Sequence, residues 1–125
     1  MKIYEELKEK YEGIEKYSLV SGDWEDAGVE AYKGGNYLEA VGYFQRVIVA
    51  IPDHYNAYEM CSYALYECNN QKEAIKYLEA GIEIAESFEG DAELPKEMVE
   101  DMRKSLEKMK KNEGLDREYI GEIME

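Results

Sequence analysis

The chain has 125 residues, 29 of them acidic and 15 basic, for a formal net charge of −14. Acidity spread along the whole chain weighs against a binder of phosphate backbones, which needs clustered Lys and Arg, and it speeds encounter with a basic partner. Helix formers dominate, only two prolines occur, and strand-like alternation is scarce, so we expect one all-α domain over residues 1–125. A chain of this length buries roughly two thirds of its unfolded surface, enough for an independent core. No stretch approaches the ~20 apolar residues that cross a bilayer, and Met1 to Val20 is too charged for a secretory signal, which predicts a cytoplasmic protein with no membrane partner.

In chain order, residues 2–17 read as an amphipathic helix with Ile3, Leu7, Tyr11 and Ile14 on one side. Gly13 costs that helix about 1 kcal/mol relative to alanine. Residues 1–20 are expected to cap the next hairpin. Residues 21–54 then lay over residues 55–88 with a period of 34, the mark of a helical repeat. Trp24 falls on Tyr58, Ala27 on Cys61, Gly28 on Ser62 and Ala31 on Leu65, one helical stripe with small residues where a second helix approaches. Gly35 and Asn69 occupy the following column and tolerate a left-handed turn. In the second helix Glu39/Glu73, Ala40/Ala74, Val41/Ile75, Tyr43/Tyr77, Phe44/Leu78 and Ile48/Ile82 agree, with Ala40, Phe44 and Val47 facing inward and answered by Ala74, Leu78 and Gly81. Pro52 closes the first unit, whereas Glu86 stands where a second proline belongs.

Beyond the repeats, Ser87, Gly90 and Asp91 predict a loop over 86–94, and Pro95 opens a helix at its first turn. The apolar residues Met98, Met102, Leu106 and Met109 define a capping helix over 95–112, and the basic run Lys108 to Lys111 reads as charge favourable to its C-terminus. In 115–125, Asp116 caps a last short helix, Leu115 and Ile120 are spaced as a hydrophobic staple, and Tyr119, Ile123 and Met124 give it one apolar side.

Trp24, Gly28, Ala40, Phe44 and Pro52 at this spacing resemble the tetratricopeptide repeat, with two units present and the second degraded at Ser62, Gly81 and Glu86. The resemblance implies a right-handed superhelical stack of antiparallel helix pairs, closed by N- and C-terminal capping helices. It also implies a concave binding groove lined by the first helix of each pair. Carried onto this chain, the candidate groove residues are Glu25, Val29, Tyr32 and Lys33 from one unit and Glu59, Tyr63, Tyr66 and Glu67 from the next, bordered by Asp26 and Met60. Carboxylates beside exposed aromatics favour a peptide or helix that carries Lys or Arg together with apolar anchors. The Lys, Arg and Asn clamp by which some family members hold a C-terminal carboxylate is replaced here by Glu25, Val29 and Met60.

Chemistry finds little purchase. His54 is a lone histidine in the loop after Pro52, Cys61 and Cys68 lie about 10 Å apart along one helix and cannot bridge, and Gly34-Gly35-Asn36 is turn chemistry. With no nucleophile, base or metal constellation, we expect no enzyme, no cofactor and no nucleic-acid partner. The expected function is a small adaptor holding a basic or apolar protein segment in an acidic, tyrosine-lined groove. The alternative is self-association, as a homodimer or within one chain, with the C-terminal helices in the groove and Tyr119, Ile120 and Ile123 as anchors.

Overall fold

A computed structural model describes residues 2–13, 21–88 and 96–124. Among them are seven helices: α1 (Lys2–Lys10), α2 (Ser21–Lys33), α3 (Tyr37–Ala50), α4 (Tyr55–Glu67), α5 (Gln71–Ser87), α6 (Lys96–Lys110) and α7 (Arg117–Ile123). Each of α2 to α5 packs on the next helix in the chain, and α1 lies against α3. The starts of α2 and α4, and of α3 and α5, are each 34 residues apart, so the period in the sequence is also the period of the elements.

The turns are fixed by residues that accept a positive φ. Gly35 (φ 81°), Asn69 (φ 61°) and Asn112 (φ 57°) end α2, α4 and α6. In each case the next amide closes back on the helix: Asn36 N donates to Ala31 O, Asn70 N to Leu65 O and Glu113 N to Lys108 O, at 2.8 to 3.0 Å. This is the Schellman termination, which satisfies carbonyls that a helix end leaves orphaned. Links this short make packed neighbours antiparallel.

Close approach within each pair depends on the small-residue column. A Cβ at Gly28 would stand 2.6 Å from Phe44 Cε1, a fully buried ring on α3. Ser62, in the same column of α4, adds a hydroxyl that donates to Ala74 O of α5 at 2.6 Å. Gly81 is as tightly hemmed, with Tyr58 Cβ at 3.1 Å, Met102 Cε at 3.2 Å and Tyr55 O at 3.3 Å from the place of its missing Cβ. Its departure from alanine is therefore what lets α6 settle on α5 beside α4. Met102 and Met109 of α6 are fully buried, with Met98 and Leu106 half-buried beside the core.

Two boundaries differ from the sequence reading. The expected helix over 2–17 stops at Lys10, and Gly13 (φ 84°) sits in the turn that follows instead of inside a helix; Ile14 lies outside the described residues. Ile3 and Leu7 are buried, and Tyr11 donates to Gln45 Oε1 at 3.0 Å while Gln45 Nε2 donates to the Tyr77 hydroxyl at 3.1 Å, a relay from α1 through α3 to α5. The second difference is that α5 continues to Ser87, into the expected loop, because Glu86 keeps the amide that Pro52 lacks. Positions 89–94 of that loop and Pro95 lie outside the described residues.

The Gly28 contact yields a test. The alanine methyl of Gly28→Ala meets a buried ring, at a cost of about 1–3 kcal/mol for overpacking, offset by up to about 1 kcal/mol of helix propensity. Urea unfolding should therefore place Gly28→Ala about 1–2 kcal/mol below wild type, whereas Gly22→Ala, with nothing within 4 Å, should not be destabilised.

Candidate functional site

The eight candidate groove residues fall on α2 and α4, and α6, α7 and the turn between them meet four of them, Glu59, Tyr63, Tyr66 and Glu67. Tyr32, Tyr63 and Tyr66 do not stand open: Tyr63 is fully buried, Tyr32 is buried, and Tyr66 is half-buried with its hydroxyl donating to Glu113 O at 2.6 Å. Exposed aromatics were expected at these places, and the reason they are covered is the fold-back of the chain after α6.

Glu59 is the centre of the arrangement. It is 0 % exposed, yet no cation among the described residues forms a salt bridge with it. Its Oε2 accepts from the Tyr63 hydroxyl at 2.7 Å and from the Tyr119 hydroxyl of α7 at 2.5 Å, while Oε1 is buried without a partner. Ser105 Oγ of α6 is 3.0 Å from the Tyr63 oxygen; since the one proton of Tyr63 goes to Glu59, the serine is the donor there. Burial pushes the Glu59 carboxyl above its ordinary value, against the two tyrosine hydrogen bonds that hold it down. Tyr119 is pushed up in turn by its own burial and by Glu59.

A second tie lies two helical turns away. Arg117 of α7 pairs with Glu67 at 2.5 Å, the glutamate side chain being 14 % exposed and the arginine 63 %. Tyr32 stands beside this pair, edge-on to Tyr37 with ring centroids 5.1 Å apart, and burial followed by the Glu67 charge raises its hydroxyl to about 12. Asp116 starts α7 by accepting from Glu118 N and Tyr119 N at 3.1 and 3.2 Å. Leu115 and Ile120 are both buried, as a staple requires.

The remaining candidates are not drawn into this cluster. Glu25 pairs with His54, the residue that precedes α4, at 3.2 Å, and that hydrogen bond holds its carboxyl below the usual value. His54 is thus a half-buried partner of a groove candidate, where the sequence reading made it a surface loop residue. Val29 is half-buried against the core and Lys33 is exposed. Of the bordering pair, Met60 is buried and Asp26 exposed. Ser105 and Arg117 escaped the sequence reading. Ser105 lies three residues after Met102 and four before Met109, so its position on the buried seam was readable; Arg117 is the one basic residue of the tail. Both cysteines are free, and among the described residues no group of three His, Cys, Asp or Glu could hold a metal ion. None of the described helices is long and apolar enough to cross a membrane.

No protein-family model, no curated protein and no solved structure matches the chain.

The raised Glu59 carboxyl sets a pH dependence. Between the ordinary glutamate value and its own higher one, the native state holds a proton that the unfolded chain has lost, so this group's contribution to stability falls as pH rises. Each pH unit across that window removes about 1.4 kcal/mol. Glu59→Gln deletes the slope, and the stability gap between wild type and variant should therefore shift in favour of the variant as pH rises from 5 to 8 in urea titrations. A gap that stays constant would mean that Glu59 does not titrate in this window.

Proposed function

We propose that the chain is a non-enzymatic protein–protein interaction module of tetratricopeptide-like architecture, a cytoplasmic adaptor that holds a basic and aromatic segment on its α2/α4 face. In this reading α2/α3 and α4/α5 are two units of a right-handed stack, α1 and α6 are its caps, and neither nucleic acid nor membrane is a partner. One observation carries the reading. The segment lying on the candidate groove is a helix, and it engages through an arginine on Glu67 and a tyrosine on Glu59. A groove of carboxylates and tyrosines calls for those residue types, and the chain's own tail supplies them.

Self-association is the second reading, favoured by the same contacts, since α7 of one copy offers another copy the identical anchors. The discriminating experiment uses the full chain beside Glu67→Arg, both verified as helical and weighed by sedimentation, then passed over native lysate. An adaptor is monomeric and retains a protein that the variant loses. A dimer that falls to monomers when residues 115–125 are removed would replace the adaptor reading with self-assembly.

A further inference from the structure

We propose that α7 is a weak resident ligand, and that the face beneath it selects a partner helix bearing arginine two residues before tyrosine and lysine or arginine on its outer side. The inference rests on the interaction-module reading and specifies its ligand.

The resident segment makes both ties from a helix. Glu59 and Glu67 are eight residues apart on α4, about 12 Å along its axis. Arg117 and Tyr119, only two residues apart, reach them both. On a helix, residues at this spacing are about 3 Å apart along the axis but diverge by about 200° around it, so two long side chains extend in opposite directions.

The resident is a poor ligand by charge and by length. Residues 113–124 carry four acidic side chains against the single Arg117, on a chain whose net charge is already −14. Glu118 and Glu122 are exposed on α7, where among the described residues neither forms a salt bridge, and on a chain of this net charge they add repulsion. At seven residues, α7 is far below the length at which a helix holds itself together in water. The chain before it, Lys111 to Gly114, is exposed. A longer helix with the same arginine and tyrosine, and lysine in place of the two glutamates, keeps both ties and reverses the repulsion. A second copy brings the same acidic tail and another −14 charges, which is why a basic partner is the occupant to which the charges point.

The test uses the full chain in wild-type form and as Arg117→Glu/Tyr119→Phe, which loosens the tail and leaves the α2/α4 face intact. The probes are three labelled peptides read by fluorescence anisotropy: residues 113–125 as they stand, the same with Glu118→Lys and Glu122→Lys, and that basic peptide with Arg117→Ala and Tyr119→Phe. The basic peptide should bind the loosened chain at least about tenfold tighter than it binds wild type, a difference of about 1.4 kcal/mol, and tighter than the unmodified tail peptide. The peptide lacking both anchors should lose about tenfold or more. Equal binding of the basic peptide with and without its anchors, equal binding by the two chains, or no binding by a loosened chain of undiminished helicity would overturn the proposal. If the double variant loses helicity, Arg117→Ala replaces it with the same criteria. Dimerisation of the loosened chain without peptide capture would assign the face to a second copy and also overturn it. A lysate protein still retained in a Glu67-dependent manner, with no peptide bound, would leave the interaction module standing while rejecting this ligand rule.

Discussion

Contact between the helices of each pair at one small-residue column is the constraint on which the rest of the structure depends. With no side chain at Gly28, the Phe44 ring sits against the α2 backbone, and the hydroxyl of Ser62 both fits the equivalent space and ties α4 to α5 through Ala74 O. Gly81 extends the same logic outward, since Met102 of α6 occupies room that a methyl would take. Bulk at any of these positions separates neighbours that must be close for Tyr58, Tyr63 and Leu78 to be fully buried. The position of α6 then decides where the chain turns at Asn112, and hence where α7 lands.

A buried carboxyl without a cation is costly, and Glu59 is tolerated because two tyrosines and the local fold-back surround it. Its partners come from separate stretches of chain, Tyr63 four residues away and Tyr119 sixty. The tail thus contributes apolar burial through Leu115, Ile120 and Met124 and also one of the two donors that make the burial of Glu59 acceptable. Removing the tail exposes that carboxyl to water, which favours its charged form.

The repeat columns, the left-handed positions Gly35 and Asn69, and the Asp116 cap with its Leu115/Ile120 staple were legible in the sequence because each is a local demand of backbone or helix geometry. Helix ends were less so: the turn at Gly13 depends on φ, and the length of α5 on an absent proline. The covering of the groove was legible only as an alternative, because the destination of a seven-residue helix is set by tertiary contacts and not by its own pattern. A glutamate at a groove position reads as surface charge, and nothing local to Glu59 signals a tyrosine sixty residues on. The partner of Glu25 was illegible for the same reason, His54 being contributed by the turn before α4.

The extra turn of α5 has a consequence for the way α6 joins the packed helices. α3 has 14 residues and α5 has 17, so the chain leaves the second unit about 4.5 Å further along its axis and rotated by most of a turn relative to its exit from the first. The register that carries α3 into α4 is lost at this point, and α6 meets the stack as a single helix on the Gly81 surface. The succession of packed helix pairs is in this sense terminated from within, after α5. The spacing of 34 residues that relates α2 to α4 and α3 to α5 has no counterpart in α6, which starts 25 residues after α5.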